Sequence, residues 1–383
     1  MNNAGYRVAL VGAGGISRHH TRACALSDRA HLAAVCDVSQ ASLDRFGEQF
    51  PEAPAGYLDL DRMLECEQVD IAVVCTWGPF HAEVGERLAR SGRVRAILCE
   101  KPFTQTAREA ERLVAAAHDS GTTIVEAFKF RHHPLHLKAG ELIDAGRIGE
   151  PHSVRSTFCT GRAQAARTPE SNWRYDPKRG GGAVFDLACY NIHHARWTFG
   201  AEPVSVFASA RGGIQVDDAV YIHLVFPGGR TAQITASFDT WGSQSVEVMG
   251  SAGSLRAERA WNNEDMSVWL DCATKEGTEK FRFHPVFQFQ LQIEHLCDVL
   301  DGTVEPRISA RDSIAQMKVI DAVSESIATG KAVTMPAGAV LGRGDTIVDH
   351  LRRHRVQGST STDQIIALTR GEADDGGRGD APR

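Results

Sequence analysis

The sequence predicts an α/β protein of two domains: an N-terminal doubly wound parallel sheet and a C-terminal α+β domain with an open-faced antiparallel sheet. Its 383 residues exceed what one hydrophobic core usually fills. The first third alternates short apolar runs with helical patterns, whereas later segments alternate apolar and polar residues. We place the domains at residues 1–131 and 132–337, followed by an extension at 338–383 that we expect to be partly disordered.

The N-terminal domain is predicted from five short runs rich in β-branched and other apolar residues. Each run is continuously apolar, as strands of a parallel sheet covered on both faces must be. A helical pattern lies between successive runs, which indicates βαβ units. The runs are residues 6–11, 31–36, 70–75, 94–99 and 123–127.

The C-terminal domain is predicted from longer segments, such as residues 152–161 and 220–226, in which apolar and polar residues alternate. Glycine, Asp-Asp and Pro-Gly turns separate them, which is typical of an antiparallel sheet with one face open. Helices are predicted at residues 186–197, 287–300 and 310–329, the last leading to a strand-like segment at 331–336.

Composition excludes several classes of partner. The net charge of −6 argues against nucleic acid and anionic membranes, so small molecules are the expected partners. No apolar run approaches the roughly 18 residues that a bilayer span needs, and the N-terminus lacks the pattern of a secretory signal. The nine cysteines form no CxxC pair, which fits reduced, buried thiols. We expect a cytoplasmic protein.

A glycine-rich turn follows the first predicted strand and opens a helix. Gly12 allows the tight turn, and Gly14 lets the backbone approach a pyrophosphate. Gly15 and Ile16 lead into the helix, where Ser17 replaces the third glycine of the dinucleotide fingerprint. Free N–H groups at the helix start attract phosphate. The position predicts a dinucleotide site, and a merely tight strand-to-helix turn is the alternative.

Asp37 stands at the end of the second predicted strand. A carboxylate at this point can accept hydrogen bonds from both hydroxyls of the adenosine ribose and repels a 2′-phosphate. We therefore predict NAD(H) and not NADP(H) as cofactor. The alternative is that Asp37 caps the helix that begins near Ser39.

Polar clusters follow two further strands of the predicted sheet. Ligands of open α/β sheets bind beyond the carboxyl ends of the strands, so these clusters should border the cofactor. Lys101 could hydrogen-bond a substrate oxygen and stabilise negative charge on it, or be a surface lysine. The clusters are Thr76, Trp77, Pro79 and His81 after one strand, and Glu100 and Lys101 after the next.

Six motifs in order resemble the Gfo/Idh/MocA family, named for glucose-fructose oxidoreductase and inositol dehydrogenase. They are residues 8–17 (VALVGAGGIS), 76–81 (TWGPFH), 100–102 (EKP), 128–134 (FKFRHHP), 148–151 (IGEP) and 172–197 (NWRYDPKRGGGAVFDLACYNIHHARW). The resemblance covers about residues 5–336. It implies a Rossmann domain, NAD(P) in the cleft, Lys101 in the active site, and a homo-oligomer, dimer or tetramer, that pairs through the exposed sheet face.

Many family members carry an aspartate and, one turn later, a catalytic histidine in the second domain. Here Asp186 is followed by Tyr190, which resembles the branch in which a tyrosine transfers the proton. Helical periodicity would place Asp186, Tyr190 and His194 on one face. Tyrosine, with a pKa of about 10, needs a cation such as Lys101 beside it. His194 and His193 are alternative bases, and a structural role for all three is a third interpretation.

Trp173 and Arg174 resemble the Trp-Arg pair of the family, which reaches from the second domain to cofactor and substrate. Four further polar residues are candidates for substrate binding, although exposed cations are usually only solvated. They are Lys129, Arg167, Lys178 and His194.

Other histidines receive no functional role. His132, His133 and His136 lack a carboxylate or cysteine partner at a recognisable spacing, so we expect no metal. His19 and His20 are expected on the surface of the first helix.

These observations predict an NAD(H)-dependent oxidoreductase that moves hydride between nicotinamide and a secondary alcohol or ketone. By family analogy the substrate is a sugar, aminosugar or glycoside, including secondary-metabolite sugars, and Tyr190 exchanges the proton with help from Lys101 while Asp186 orients a partner. Oxidation is favoured because cells keep NAD oxidised. A cyclitol dehydrogenase is one alternative and a non-catalytic NAD-binding sensor is another, which the presence of both Lys101 and Tyr190 disfavours.

Overall fold

The computed structural model describes residues 5–54, 56–161, 168–212 and 216–336. Within these ranges the chain forms a six-stranded parallel sheet and a nine-stranded mixed sheet. The predicted combination of a doubly wound domain with an α+β domain is confirmed. None of the described helices has the length and apolar character needed to span a bilayer. The predicted extension at 338–383 lies outside the described residues.

The first sheet has the strand order β3-β2-β1-β4-β5-β6, and all its pairs are parallel. Its order reverses between β1 and β4, which creates the crevice at which such sheets bind ligands. Five strands match the predicted runs, and the two-residue β3 was not predicted. The strands are β1 (Tyr6–Val11), β2 (Ala30–Cys36), β3 (Gly56–Tyr57), β4 (Ile71–Val74), β5 (Ala96–Cys99) and β6 (Thr123–Glu126).

The described helices begin at polar caps in several cases. The side chains of Ser39, Asp59, Thr106 and Ser309 each accept a hydrogen bond from a backbone N–H three residues later. The helices are α1 (Ser17–Leu26), α2 (Gln40–Gln49), α3 (Leu60–Cys66), α4 (His81–Arg90), α5 (Ala107–Asp119), α6 (Pro134–Asp144), α7 (Cys189–Phe199), α8 (Gln288–Leu300) and α9 (Ala310–Thr329).

The second sheet has the order β14-β13-β12-β11-β7-β10-β9-β8-β15. It is not wholly antiparallel as predicted, because β10 pairs in parallel with β7. The long connection between these strands lets the chain return in the same direction. The strands are β7 (Pro151–Cys159), β8 (Ser205–Gly212), β9 (Asp217–Val225), β10 (Thr231–Ser237), β11 (Val246–Gly250), β12 (Gly253–Ala257), β13 (Val268–Thr274), β14 (Gly277–Phe283) and β15 (Val333–Thr334).

The predicted helix at 186–197 begins earlier and in a different form. Residues Val184–Ala188 form a π-helical turn, in which the N–H of Cys189 donates to the carbonyl of Val184 five residues back. The regular helix α7 starts only after this turn. The prediction of one continuous α-helix is therefore wrong. The π-helical turn contains one residue more than an α-helical turn, so the side chains before Cys189 are rotated relative to those of α7.

The last two helices return to the first domain. Helix α8 packs on α1, and α9 packs on α5. Arg29, just before β2, pairs with Asp298 at 2.5 Å and with Asp301 at 2.6 Å. These contacts join the C-terminal helices to the first domain.

Candidate active site

The glycine turn forms an open cradle. Gly12 has a φ of +105°, and a Cβ at this residue would lie 2.7 Å from the carbonyl of Cys75, so only glycine fits. Apart from the adjoining residues of the chain, no atom lies within 4 Å of a Cβ built on Gly14 or Gly15. Ser17 donates from Oγ to the carbonyl of Gly14 at 2.6 Å and starts α1. This space before the N-terminus of α1 suits a pyrophosphate.

Asp37 lies beside the cradle. Its Oδ2 accepts from the N–H of Ala13 at 2.8 Å, and its Oδ1 accepts from the N–H of Ser39 at 2.8 Å. Ser39 itself caps α2 through the N–H of Ser42. The carboxylate of Asp37 therefore connects the glycine turn to the start of α2, at the end of the sheet where the adenosine ribose would bind.

The loop after β4 carries an unsatisfied polar atom. Thr76 Oγ1 is buried and has no hydrogen-bond partner among the described residues. His81 is 2% exposed, with Nδ1 2.9 Å from the carbonyl oxygen of Pro102 and Nε2 3.1 Å from that of Thr76. Burial lowers the pKa of His81. His81 thus joins the loops after β4 and β5, so any effect of it on a cofactor would be indirect.

Two tryptophans meet across the cleft. The ring centroids of Trp77, in the first domain, and Trp173, in the second, lie 5.4 Å apart. The guanidinium of Arg174 lies 4.7 Å from the Trp173 ring, and that of Arg179 lies 5.4 Å from the Trp77 ring. Pro79 lies in the short turn directly after Trp77. These aromatic contacts join the two loops that border the dinucleotide cleft.

The catalytic lysine candidate is held by the second domain. Lys101 Nζ donates to the carbonyl of Asp186 at 2.8 Å and to Oδ1 of its carboxylate at 2.9 Å. Arg174 donates from Nε to Oδ2 of Asp186 at 2.5 Å. Burial raises the pKa of Asp186, but the two cations outweigh it and the pKa lies well below its usual range. Burial lowers the pKa of Lys101, but Asp186, with the neighbouring acidic groups, outweighs burial and raises the pKa above its usual value, so Lys101 remains an ammonium ion.

The π-helical turn that carries Asp186 is anchored at its start. Asp217 accepts from the N–H of Val184 at 2.8 Å. Gly182 has a φ of +114°, and a Cβ there would lie 2.4 Å from Oδ1 of Asp217. Burial raises the pKa of Asp217 to about 6. The glycine run before the helix therefore lets this carboxylate reach the turn and fix the direction of Asp186.

Tyr190 lies under the ammonium group. Lys101 Nζ is 5.1 Å from the centroid of the Tyr190 ring, and the ring packs edge-on against Phe128 and Phe158. Burial raises the pKa of Tyr190 above its usual value, and Lys101 lowers it only in part. Lys101 thus lowers the pKa of Tyr190 as expected, but by less than burial raises it. The phenol is therefore protonated.

The two alternative bases are enclosed. His194 is 1% exposed among the rings of Phe130 and Trp261, and burial lowers its pKa to about 3. His193 stacks on Phe128 and accepts from Arg131 at 2.8 Å, and burial lowers its pKa to about 3 as well. Both imidazoles are therefore neutral near pH 7 and, like Tyr190, buried.

The substrate candidates have different surroundings. Lys129 is 6% exposed, donates to Asn262 at 3.0 Å and pairs with the carboxylate of Glu264. Lys178 is exposed on a short 3₁₀ turn. Arg167 lies outside the described residues. The buried pair made by Lys129 and Glu264 joins the two domains. Burial lowers the pKa of Lys129, and Glu264 offsets this effect only in part.

Glu100 contacts a histidine that the sequence analysis placed on the surface. His20 is 1% exposed, and its Nε2 lies 2.8 Å from Oε1 of Glu100, which is 5% exposed. The N–H of Lys101 donates to Oε2 of Glu100 at 3.2 Å. The surface position expected for His20 is therefore wrong. Its spacing from Ser17 and Cys24, at i+3 and i−4, was a helical signal for the buried face.

The other histidine cluster is divided among separate partners. His136 Nε2 lies 2.7 Å from the carbonyl of Ala260, whereas His132 accepts from Arg307 at 3.2 Å. His133 caps α6. In the described ranges no group of three or more His, Cys, Asp or Glu side chains is arranged to hold a metal ion.

Comparison with known proteins agrees with this architecture. The family model for the oxidoreductase family with an NAD-binding Rossmann fold matches residues 6–128, and that for the GFO/IDH/MocA C-terminal domain matches residues 136–256. D-xylose 1-dehydrogenase (NADP(+)) 2 of Haloferax volcanii is 30% identical, over 83% of this chain and 93% of that protein. Inositol 2-dehydrogenase of Rhizobium meliloti is 28% identical, over 86% and 99%.

A solved structure extends the similarity to three dimensions. The 3-ketoreductase KijD10 of Actinomadura kijaniata, crystallised with NADP and TDP-benzene, superimposes with a TM-score of 0.76 at 28% identity. The match covers 84% of this chain and 98% of that one. With its glycine cradle, its Glu-Lys-Pro loop and both family domains in place, this chain belongs to the Gfo/Idh/MocA family of oxidoreductases and carries an NAD(P)-binding Rossmann domain.

Proposed function

We propose that this protein transfers hydride between a nicotinamide dinucleotide and a secondary alcohol or ketone of a sugar, aminosugar or glycoside. One observation carries the proposal. The ammonium of Lys101, held 2.9 Å from Asp186, lies 5.1 Å from the Tyr190 ring at the edge of the sheet where the glycine cradle opens. A proton-transfer group and a cation therefore meet beside the cofactor cleft.

The residues at the cleft fit a dinucleotide. The space before Gly14 and Gly15 accepts a pyrophosphate, and the unsatisfied Oγ1 of Thr76 needs a polar partner. The bound cofactor would supply or accept hydride at its nicotinamide ring. The residues that we assign to it are Gly12, Gly14, Gly15, Ile16, Ser17, Asp37, Thr76, Trp77, Pro79, Trp173 and Arg174.

In this proposal Lys101 stabilises negative charge on the substrate oxygen, and Tyr190 transfers the proton. An ammonium has three N–H groups, and Lys101 uses two of them on Asp186, so one remains for a substrate oxygen. In reduction, the Tyr190 hydroxyl gives its proton to the carbonyl oxygen as hydride reaches the carbon. In oxidation, the phenol must first lose its proton to solvent, and the resulting Tyr190 phenolate, beside the ammonium of Lys101, accepts the alcohol proton. Asp186 keeps Lys101 charged and in place through Oδ1, and Arg174 donates to the other carboxylate oxygen of Asp186.

We assign NAD rather than NADP as the cofactor. The carboxylate of Asp37 stands beside the cradle, where a 2′-phosphate would meet its negative charge. The xylose dehydrogenase and the ketoreductase named above use or bind NADP, so this carboxylate is the feature that tests the assignment. Preference for NAD also favours oxidation as the direction in the cell.

The substrate class follows the relatives. One relative is named for D-xylose, which supports a sugar, and the ketoreductase was crystallised with the nucleotide ligand TDP-benzene. The similarity to inositol 2-dehydrogenase supports a cyclitol as second candidate. The presence of Tyr190 supports a sugar over a cyclitol as substrate, because the inositol dehydrogenases of the family usually carry histidine at that position.

We also propose a cytoplasmic homo-oligomer. The open face of the second sheet bears a groove of about 420 Å³. It exposes Phe207 and Tyr221, each 44% accessible, and would pair with a second subunit. Sedimentation equilibrium should give a dimer or tetramer, and a monomer at micromolar concentration would contradict this.

The decisive experiment measures NADH and NADPH formation by the purified protein with sugars, aminosugars, glycosides and cyclitols. We expect turnover with NAD and at least one sugar-type alcohol. Turnover with cyclitols alone would support the second candidate. Cofactor binding without turnover across the panel, and in the reverse direction with the corresponding ketones, would instead support a non-catalytic NAD-binding sensor.

A further inference from the structure

We propose that His20 is a positioning residue for Lys101 and acts through the carboxylate of Glu100. The inference rests on the proposed role of Lys101 in hydride transfer. His20 lies on α1, the helix whose N-terminus faces the cofactor cradle, whereas Lys101 follows β5. Glu100 is the direct connection between them.

The contacts form a continuous chain. His20 Nε2 lies 2.8 Å from Oε1 of Glu100, and Oε2 of the same carboxylate accepts from the N–H of Lys101 at 3.2 Å. Lys101 Nζ in turn donates to Asp186. The side chains of His20 and Glu100 are only 2% and 7% exposed, so solvent cannot replace either partner. The carboxylate therefore sets the backbone position from which the catalytic ammonium extends.

The same contacts set the distance between the ammonium of Lys101 and the proposed cofactor site. Gly14 and Ser17 at the start of α1 border the pyrophosphate cradle, and His20 follows on the same helix one turn later. A rigid helix thus fixes the separation between the cradle and Glu100, and hence the separation between the nicotinamide ring and Lys101. Displacement of about 1 Å in such a geometry costs about 100-fold in rate.

Glu100 needs a partner to remain ionised. Burial raises the pKa of Glu100, but His20 and then Lys101 outweigh burial and bring it below the usual value. Without His20, we expect burial to dominate and the carboxyl group to take up a proton near neutral pH. His19 precedes His20 on α1, and the other titratable groups that interact electrostatically with Glu100 are Cys75, His81, Cys99, Lys101, Lys129 and Tyr190.

Three single variants separate positioning from packing. His20→Leu keeps the volume but removes the donor. His20→Gln retains an N–H group that can reach Oε1 of Glu100, and His20→Asn has a side chain too short to do so. His118→Leu, on the exposed end of α5, is the matched control for loss of a histidine.

We expect His20→Leu and His20→Asn to lower kcat about 100-fold while the Kd of NADH, measured by fluorescence, changes less than about 3-fold. His20→Gln should restore kcat to within about 5-fold of wild type. In His20→Leu, kcat should rise with pH as Glu100 ionises, whereas wild type and His20→Gln should lack this ionisation. If His20→Leu does not fold, His20→Asn provides the same comparison.

A double-mutant cycle tests the route. If His20 acts through Glu100, then His20→Leu combined with Glu100→Gln will be no slower than Glu100→Gln alone. Multiplied losses would show that His20 acts independently and would overturn the proposal. Wild-type kcat in both His20→Leu and His20→Asn would also overturn it.

A readout that needs no sugar separates this inference from the proposed function. Acetic anhydride modifies lysine amines, and peptide mass spectrometry gives the rate at Lys101. We expect faster modification of Lys101 in His20→Leu and Glu100→Gln, and the wild-type rate in His20→Gln. An unchanged rate in all variants would refute the positioning role, whatever the outcome of the substrate panel. Absence of turnover with a changed labelling rate would refute only the proposed function.

Discussion

The ammonium nitrogen of Lys101 lies 5.1 Å from the centroid of the Tyr190 ring and 2.9 Å from Oδ1 of Asp186. Lys101 comes from the first domain, and both partners come from the second. One cation therefore meets a neutral phenol and a carboxylate across the cleft, and its remaining N–H group is available to a ligand. The chemistry of the site depends on this three-residue contact.

Replacing Tyr190 with phenylalanine removes the exchangeable proton and preserves the buried ring. We expect kcat to fall by about 10²- to 10⁴-fold, as for loss of a general acid or base, with little change in the Kd of NADH. Tyr6→Phe, at the start of β1 and thus at the opposite edge of the first sheet, is the matched control. A kcat within threefold of wild type, roughly, would exclude Tyr190 as the proton-transfer group.

The pH dependence should differ between directions. Because burial raises the pKa of Tyr190, the phenol stays protonated between about pH 6 and 9. The rate of ketone reduction should therefore be flat over this range, whereas alcohol oxidation should accelerate as pH rises. Steady-state kcat profiles measure both. A reduction rate that falls through pH 7 would indicate a histidine acid instead.

Asp186→Asn should unfold more easily, because Lys101 and Arg174 would face each other without a buried anion. We expect a loss of about 3–5 kcal/mol in the free energy of unfolding at pH 7. The pKa of Asp186 is lowered in the folded state, so its stabilisation is present above the unfolded pKa of about 4 and is lost as pH falls further. Urea denaturation at several pH values should show the difference from wild type shrinking below that pH.

Two substitutions of Asp37 separate its charge from its hydrogen bonds. Asp37→Asn removes the charge and can keep an acceptor for the N–H of Ala13, whereas Asp37→Ala removes both. We expect Asp37→Asn to raise the NADP/NAD ratio of kcat/KM by about tenfold or more. Asp37→Ala should weaken binding of both cofactors. If wild type already prefers NADP, the cofactor assignment is wrong.

Dinucleotide binding should change tryptophan fluorescence, because Trp77 and Trp173 lie 5.4 Å apart at the cleft. We expect titration with NAD, without substrate, to quench the emission. Trp77→Phe should reduce the amplitude, and Trp269→Phe, on β13 of the second sheet, should leave it unchanged. Equal amplitudes in wild type and Trp77→Phe would place the cofactor away from this aromatic pair.

Local sequence patterns determined much of the fold. Strand β1 and helix α9 were predicted with the bounds that the structure shows, because apolar periodicity and caps such as Ser309 act within a few residues. The glycine cradle was predicted because glycine at a positive φ, as at Gly12, has a local backbone cause. Strand β14 was missed, since five of its seven residues are exposed and its sequence, GTEKFRF, lacks a continuous apolar face.

The sequence by itself therefore determined the two-domain α/β architecture, the dinucleotide turn and the candidates Lys101, Asp186 and Tyr190. Only the tertiary structure decided how these side chains meet. The π-helical turn at Val184–Ala188 directs Asp186 to Lys101, and His20 turns inward to Glu100. Such contacts join residues that are 80 or more positions apart, and they arise from domain packing and the burial of charge, which no local periodicity encodes.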